Sequence, residues 1–356
     1  MASPEPKRQK TSAPLIGTHN GHFHADEALA VYLLRLLPTY TGSPLIRTRD
    51  PALLSTCHTV VDVGGEYNPS TQRFDHHQRE FKTVFPGHTT KLSSAGLVYL
   101  HYGRAIISQH TSQPTDSPDV SLLYEKLYTD FIEPFDANDN GVPEYDPSVL
   151  ASSNIKPRFV NRGFSLAAAV NRFNYAYPVP GLPEPEATDD AALDAQAAED
   201  ARFAHASTFV GTQFALELAD KVAAWLPARA AVSAAFEDRT THHPSGAIMV
   251  LKEGSPWADH LYSLEEAAAV KGQVLYVLFP EGAGPGSKWR IRAVGVEGEA
   301  FSNRKDLPDA WKGLRDEELS KVAGVPGAVF VHASGFIGGN ASFEGALEMA
   351  RKAVEI

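Results

Sequence analysis

The sequence is poor in cysteine, in long apolar runs and in positive charge, and each shortage narrows what the protein can be. Its 356 residues include one cysteine, Cys57, which excludes an intramolecular disulfide and a cysteine-based zinc cluster. No apolar run approaches the roughly 20 residues of a membrane span, and no apolar signal core is visible, so we expect an intracellular protein without a membrane partner. The net charge of −11 argues against broad non-specific binding to nucleic acid.

The length and composition are those of a folded protein with two globular parts. The apolar fraction is 43% and the charged fraction is 21%, values that are ordinary for a folded chain. Residues 1–13 have no periodic apolar pattern and are predicted to form a disordered tail. We expect a metal-binding catalytic domain over 14–180, an acidic loop and helical connector over 181–230, and a smaller substrate-binding domain over 231–356.

In the first half of the chain, strand patterns alternate with helix patterns. This alternation predicts an α/β fold with a mostly parallel sheet flanked by helices. The predicted strands are Pro14–Thr18, Pro44–Thr48 and Thr59–Val63, and the predicted helices are Ala25–Leu37, Ser93–His110, Val120–Phe135 and Phe164–Asn174.

The second half begins with a long alanine-rich helix, predicted from Ala191 to Trp225 and ended by Pro227. A capping box, Ser263–Glu266, is predicted to open a short helix. Four strands and a last helix complete a predicted α+β domain: Ala247–Leu251, Val274–Phe279, Trp289–Val294, Ala328–Val331 and Phe343–Val354.

Histidines and carboxylates cluster where the predicted strands of the first half end. His19 follows the first strand, Asp62 ends the apolar run of the third, and Asp75-His76-His77 follows a short segment. Because the carboxyl ends of parallel strands share one edge of a sheet, we expect these side chains to meet there. The candidate metal ligands are His19, His24, Asp26, Asp62, Asp75, His76 and Asp136.

This ligand set predicts two bound metal ions. Imidazole and carboxylate groups together bind Mn²⁺, Mg²⁺, Zn²⁺ or Fe²⁺. Two divalent ions would balance the four carboxylates among the candidates, Asp26, Asp62, Asp75 and Asp136. Two ions about 3.5–4 Å apart activate a water and stabilise the charge that develops at a phosphorus centre, so the sequence predicts a phosphoesterase.

Longer motifs carry a family resemblance. They are Thr18-His19-Asn20-Gly21, Phe23-His24, Asp26-Glu27, Arg47-Thr48-Arg49-Asp50, Val61-Asp62-Val63-Gly64-Gly65, Asp75-His76-His77-Gln78, Pro256-Trp257, His260-Leu261-Tyr262 and the run from Phe330 to Asn340. With these motifs the chain resembles the DHH phosphoesterase superfamily and, more narrowly, the melanocyte-proliferating-gene exonuclease family. The resemblance covers nearly the whole chain apart from the tail and the acidic loop.

The resemblance implies a metal-dependent 3′-to-5′ RNA exonuclease of the nucleus and mitochondrion. The expected cofactors are two divalent ions, with manganese as the metal and magnesium as the alternative. The resemblance implies that Asp62 bridges two ions, one held by His19 and His24 and the other by Asp26, His76 and Asp136. Asp75 would ligate a metal or orient the histidines, and His77 would face the substrate phosphate. Many members of the superfamily have Asp-x-Asp where this chain has His24-Ala25-Asp26, so their metal preference does not carry over.

The glycine-rich stretch Ser334–Asn340 is the predicted substrate-binding element. Between a predicted strand and a helix, its glycines would let backbone N–H groups approach a phosphate. The predicted substrate-binding residues are His332, Gly335, Gly338, Gly339, Asn340 and Arg172. We expect the active site to lie between the two domains.

The predicted reaction is hydrolysis of RNA or a short oligonucleotide by a water that two metals activate, with Asp62 and His77 as catalytic residues. Either His77 or water would protonate the leaving group. Two alternatives on the same scaffold remain, a manganese pyrophosphatase and a phosphodiesterase for short or cyclic nucleotides. A non-catalytic, metal-stabilised regulatory protein is the alternative of another class. The basic cluster Lys7, Arg8 and Lys10 is consistent with nuclear as well as cytoplasmic placement.

Overall fold

A computed structural model of the protein describes residues 13–175 and 190–356. It divides the chain into two compact units, Met1–Lys221 and Val222–Ile356, and the division falls inside the predicted connector. Residues 1–12 of the predicted tail and residues 176–189, which include part of the predicted acidic loop, lie outside the described residues.

The first unit contains a five-stranded sheet with the order β2-β1-β3-β5-β4. Its strands are short: β1 (Ile16–Thr18), β2 (Leu45–Arg47), β3 (Thr59–Val61), β4 (Tyr67–Asn68) and β5 (Arg73–Phe74). Pairings β1–β2, β1–β3 and β3–β5 are parallel, and β4 runs antiparallel to β5. The predicted mostly parallel sheet is therefore confirmed.

Eight helices accompany this sheet among the described residues. They are α1 (Ala25–Leu36), α2 (Pro51–Leu54), α3 (Ser94–Thr111), α4 (Pro118–Leu127), α5 (Glu133–Asp139), α6 (Pro147–Ser152), α7 (Leu166–Asn171) and α8 (Ala191–Asp220). Helix α1 packs against both α3 and α8, which explains why almost all of its residues are buried. Gly211 allows the close approach of α8, because a Cβ there would meet the ring of Tyr32.

The second unit has a mixed five-stranded sheet with the order β6-β7-β8-β10-β9. The strands are β6 (Ile248–Val250), β7 (Tyr276–Pro280), β8 (Trp289–Ala293), β9 (Ala328–Val331) and β10 (Ile337–Asn340). Only β6–β7 is parallel among the pairings of these strands. The helices are α9 (Leu226–Glu237), α10 (Arg239–His242), α11 (Ala258–Ala267), α12 (Asp316–Ala323) and α13 (Phe343–Glu355). The predicted α+β character of the second half is confirmed.

Three predicted helix features differ from the structure. A π-helical turn, Tyr128–Ile132, divides the predicted helix Val120–Phe135 into α4 and α5. Pro227 does not end a helix but lies in the first turn of α9, directly after the π-helical turn Lys221–Trp225. Ser263 is not a helix cap, because it lies inside α11 and its hydroxyl donates to the Asp259 carbonyl.

None of the helices in the described part of the chain combines the length and apolar character that crossing a membrane requires.

Candidate metal centre

Three neighbouring parallel strands deliver the candidate ligands to one edge of the first sheet. His19 follows β1 directly, Asp62 follows β3, and Asp75 follows β5. Because β1, β3 and β5 are adjacent and parallel, their carboxyl ends lie side by side. The expected convergence at this edge is what the structure contains.

The first group of potential ligands consists of His19, His24, Glu27 and Asp62. The His19 Nε2 atom lies 3.1 Å from Glu27 Oε1 and 3.3 Å from Asp62 Oδ2. The His19 Nδ1 atom lies 3.1 Å from the Asn20 carbonyl oxygen, and a proton shared there leaves Nε2 as the ligand atom.

The second and third groups share residues with the first. Asp62, His76 and His77 form the second, and His24, Asp26 and Asp139 form the third. The His76 Nε2 atom joins them, at 3.3 Å from Asp62 Oδ1 and 3.0 Å from Asp139 Oδ2. Asp62 thus belongs to two groups, with one carboxylate oxygen facing His19 and the other facing His76.

Asp62 is held in an uncommon backbone conformation. Its φ angle is 57°, in the left-handed region that favours glycine, and its side chain is buried. The Ser94 hydroxyl at the start of α3 donates to Asp62 Oδ1 over 3.3 Å. Strained residues of this kind persist where the surrounding structure imposes them, and they concentrate at functional sites.

The two buried histidines are polarised by the carboxylates around them. Burial opposes the charge of His19, but the hydrogen bonds and charges of Asp62 and Glu27 outweigh it and raise the His19 pKa to about 10. Burial likewise opposes the charge of His76, yet Asp139 and Asp62 raise its pKa to about 9. The carboxylates around both histidines therefore favour a positive charge here, which a bound divalent cation would supply in place of the two protons.

The carboxylates of the cluster differ in the direction of their pKa shifts. Burial alone would raise the pKa of Asp62, but the hydrogen bonds and charges of His19 and His76 hold it well below its usual range. Burial raises the pKa of Asp26 well above its usual range, and the nearby charges of Asp62 and Asp139 add to that effect. The cluster therefore holds more negative charge than its histidines balance.

This cluster fits divalent cations. In the described residues, no lysine or arginine forms an ion pair with Asp26, Glu27, Asp62 or Asp139. The buried atoms Asp26 Oδ1, Glu27 Oε2 and His76 Nδ1 have no hydrogen-bond partner there either. Burying such groups is costly unless something binds them, and imidazole with carboxylate is the donor set of Mn²⁺, Mg²⁺ and Zn²⁺.

The structure places five of the seven predicted ligands in these groups: His19, His24, Asp26, Asp62 and His76. Asp75 lies beside them, where its Oδ1 accepts from His77 Nδ1 over 2.7 Å and its Oδ2 accepts from the Gly65 N–H. Of the two roles that the resemblance left open for Asp75, this geometry supports orienting a histidine. His77 itself is exposed and belongs to the second group.

The placement of Asp136 does not support its assignment as a ligand. Its buried carboxylate accepts from the Ser93 N–H and hydroxyl, from the Gly96 N–H and from the Tyr128 hydroxyl. Gly96 leaves the space for it, because a Cβ at that position would overlap the carboxylate. Asp139, three residues further on, lies in the cluster instead.

Sequence reasoning missed Glu27 and Asp139 as candidate ligands. Glu27 adjoins Asp26 in the first motif, but neighbouring helical residues usually point apart, so adjacency does not predict that both reach one site. The spacing of Asp136 and Asp139 by three residues puts both on one helix face, so spacing alone could not separate them.

Residues from distant parts of the first unit hold the loop that carries His24. The buried Arg47 donates to the Gly21 carbonyl over 2.8 Å and to Glu199 over 2.7 Å, and Glu199 also accepts from the Gly21 N–H. The side chain of Asn174 accepts from the Phe23 N–H and donates to the Phe23 carbonyl, at 2.9 and 2.7 Å. Sequence reasoning assigned none of these three positioning roles.

A cavity of about 250 Å³ opens onto the cluster. Its wall includes His19, His24 and Asp62 together with Arg49 and His77. Arg49 and His77 are exposed, so they can meet a phosphate at the cavity mouth.

Most of the predicted substrate-binding residues of the second unit have structural roles. Gly338, Gly339 and Asn340 belong to β10, in the interior of the sheet, and all three are buried. Strand pairing occupies this backbone, so the geometry does not support a phosphate-binding loop at these three positions. Gly335 is also buried, in a turn with φ of 74°. Arg172, in the first unit, donates to the Gly163 carbonyl.

His332 is exposed and lies on a cavity of about 740 Å³ within the second unit. Arg292 also lines this cavity, and its guanidinium lies 4.3 Å from the centre of the Phe336 ring. The His332 ring meets Phe336 at an angle of 63°. Across the described ranges, no carboxylate forms an ion pair with Arg292. An unpaired arginine beside aromatic rings suits an anionic ligand with a flat ring.

Comparisons with known proteins agree with these features. The family model for MYG1 exonucleases, described as Uncharacterised protein family (UPF0160), matches residues 15–354. The MYG1 exonuclease of Homo sapiens is 42% identical over 358 residues, which cover 98% of this chain and 88% of that protein. The MYG1 protein of Dictyostelium discoideum is 45% identical over 338 residues, and they cover 95% of each.

Among solved structures, exonuclease RecJ bound to manganese aligns with 16% identity and a TM-score of 0.22, over 97% of this chain and 91% of that one. The family model and the identities above 40% confirm the resemblance that the motifs carry. The chain belongs to the MYG1 exonuclease family.

Proposed function

We propose that the protein is a metal-dependent phosphodiester hydrolase that removes nucleotides from the 3′ end of RNA. Membership of the MYG1 exonuclease family supports a hydrolase of the nuclease type. The observation that carries the proposal is the position of Asp62, whose two oxygens face His19 and His76 in adjoining ligand groups. A shared carboxylate between two imidazoles is the arrangement expected for a two-metal site.

The residues around Asp62 divide into two ligand sets. His19 and His24 would hold one divalent ion with Asp62, and Asp26, His76 and Asp139 would hold the other, with manganese as the metal and magnesium as the alternative. When bound, such ions activate a water and balance the charge that develops at phosphorus. Glu27 accepts from the His24 N–H over 2.8 Å and thereby fixes the start of α1 beside both ligand sets.

The chain's own residues would bind the phosphate and handle the proton. Arg49 at the cavity mouth supplies a guanidinium for a phosphate oxygen. The hydrogen bond that His77 donates to Asp75, together with the charge of Asp62, outweighs burial and raises the pKa of His77. Because Asp75 engages Nδ1, the exposed Nε2–H of His77 can donate a proton to the leaving oxygen.

The cavity in the second unit favours nucleotides over pyrophosphate as the substrate. Arg292, His332 and Phe336 together offer positive charge and ring faces, which pyrophosphate does not need and a nucleotide can use. A manganese pyrophosphatase and a phosphodiesterase for short or cyclic nucleotides remain the rival enzymes, and a non-catalytic regulator remains the rival of another class.

The deciding experiment compares substrates while bound metal is measured. Purified protein would be given a 5′-labelled RNA, a 3′-labelled RNA, a dinucleotide and pyrophosphate, each with Mn²⁺, with Mg²⁺ and with EDTA. We expect a ladder from the 5′-labelled RNA, release of mononucleotide from the 3′-labelled RNA, and loss of both with EDTA. Faster turnover of pyrophosphate or of the dinucleotide would favour a rival enzyme, and metal binding without any turnover would favour the regulator.

We also propose that the protein acts in the nucleus and cytoplasm, with the mitochondrion as a further site. The basic cluster Lys7, Arg8 and Lys10 is the sequence feature behind nuclear placement, and it lies outside the described residues. Fluorescence of the tagged protein with and without residues 1–12 would test this, and an unchanged distribution would remove the role of the cluster.

A further inference from the structure

One stretch of the first unit has a charge opposite to that of the protein as a whole. Residues 147–175 contain four cations, Lys156, Arg158, Arg162 and Arg172, and no aspartate or glutamate, in a chain of net charge −11. All four are exposed. Within the described parts of the chain, none of them forms an ion pair with a carboxylate. We call residues 155–175 the basic segment.

The basic segment also exposes large apolar side chains. The exposed fraction is 76% for Phe159, 81% for Val160 and 94% for Phe164. Single exposed apolar residues are common, but several within six residues of one another mark an interaction surface. Here they alternate with the cations in the order Arg158, Phe159, Arg162, Phe164.

The C-terminal half of the segment, residues 165–175, lies beside elements of the metal centre. Ser165 and Leu166 share a small cavity with Phe131 and Phe135, next to and within α5, the helix that ends at Asp139. At the other end, Asn174 holds both backbone groups of Phe23, the residue before His24. The exposed rings and cations of residues 158–164 therefore directly precede a stretch that lies beside two elements presenting candidate ligands.

We propose that the basic segment binds a single-stranded stretch of nucleic acid whose end lies at the metal centre. Phe159 and Phe164 would stack on bases, and Arg158 and Arg162 would pair with backbone phosphates. Aromatic rings interleaved with cations are how proteins hold single strands without reading their sequence. This inference rests on the proposed function only in taking a nucleic acid as the substrate.

The chemistry of the segment favours a nucleic acid over an acidic peptide or a membrane. Flat rings at two exposed positions match the repeating flat bases of a strand, and the uncompensated arginines match its repeating phosphates. A membrane would be expected to meet a longer amphipathic helix, whereas residues 153–164 contain no helix.

Two double variants of the full chain test the proposal, each with a matched control. Arg158→Met with Arg162→Met removes two cations, and Lys288→Met with Lys321→Met removes two exposed cations of the second unit. Phe159→Ala with Phe164→Ala removes the rings, and Tyr145→Ala removes an aromatic residue, 63% exposed, that lies between two acids. The probe is a fluorescent 12-nucleotide single-stranded RNA, with its affinity measured by anisotropy in EDTA.

The expected effects differ between the two double variants. Loss of both rings should raise the Kd about 25-fold, which is roughly fivefold for each ring. Loss of both arginines should reduce the slope of log Kd against log salt by about 1.4, because each phosphate contact contributes about 0.7 for a single strand. The controls should bind like the wild type, and hydrolysis of a dinucleotide should be unchanged in all variants.

Failure of this inference can be told apart from failure of the proposed function. If the double variants bind RNA as tightly as the wild type, or if the wild type does not bind it, the segment is not a strand-binding site, whatever the protein hydrolyses. If the variants lose RNA binding but neither the wild type nor any variant hydrolyses RNA, the strand-binding role of the segment is supported and the exonuclease proposal is wrong. Loss of binding to phosphatidylserine vesicles with unchanged RNA affinity would identify a membrane surface and overturn the inference.

Discussion

The two sheets differ in what explains their most distinctive residues: the buried histidines and carboxylates of the first sheet and the glycines of the second. In the first sheet, buried histidines and carboxylates lie beyond the ends of β1, β3 and β5, where packing alone would favour apolar residues. In the second sheet, Gly338 and Gly339 lie inside β10 between two other strands. A buried charge needs a partner, so it predicts function well, whereas a glycine is explained equally well by lack of space.

The largest effect is expected from removing the negative charge of Asp62, the carboxylate shared by two ligand groups. Asp62→Asn should lower activity by more than about a hundredfold, because changes even to residues that only hydrogen-bond a metal ligand cost about 10- to 100-fold. Asparagine tolerates the positive φ of Asp62, so the fold should persist. Activity, bound metal and melting temperature would be measured together, with the exposed helix cap Asp50→Asn as the control. Near-normal activity with two bound ions would end the bridging assignment.

A second test separates Asp136 from Asp139. Asp139→Ala should lose bound metal with little change in melting temperature. Asp136→Ala should keep the metal but lower the unfolding free energy by about 2–4 kcal/mol, since it leaves several buried donors without an acceptor. Elemental analysis beside thermal unfolding would measure both effects. The reverse pattern would restore Asp136 as the ligand.

The pH dependence of Asp136 sharpens the same comparison. Burial raises the pKa of Asp136 to about 7, although the hydrogen bonds from Ser93, Tyr128 and Gly96 lower it in part. A raised folded pKa means that the folded state binds the proton more tightly, so this group's contribution to stability is present below pH 4 and lost as the pH rises towards 7. In EDTA, the melting temperature of the wild type should fall more than that of Asp136→Ala over this range. Parallel curves would show that Asp136 does not titrate there.

The smallest effects concern the second sheet. Gly338→Val should destabilise the second unit by about 1–3 kcal/mol, because a Cβ there lies 2.9 Å from Leu307 and 3.0 Å from the Phe330 carbonyl. His332→Ala leaves the sheet intact and should raise KM for RNA a few-fold. Thermal unfolding and RNA kinetics would be compared for both. A raised KM for Gly338→Val at unchanged stability would revive the predicted phosphate loop.

The parts of the fold that the sequence predicted are those with strong periodic patterns. Strands β1, β2 and β3 and helices α1 and α3 lie within a few residues of their predicted bounds, because their apolar residues repeat regularly. The π-helical turn at Tyr128–Ile132 and the strand β10 were not predicted. Neither has a distinct local pattern, since the apolar residues of the first keep helical spacing and half of the residues of the second are glycine.

What the sequence by itself determined is the chemistry available at the first sheet: histidines and carboxylates placed after apolar runs, in motifs long enough to indicate a family. Only the tertiary structure decided which of them converge. It turned Asp139 towards His76 and Asp136 towards Ser93, brought Glu27 beside His19, and assigned Arg47 and Asn174 to the loop before His24. Motifs specify residue types along the chain, but ligand geometry depends on which helix face meets which strand end, and packing between distant segments decides that.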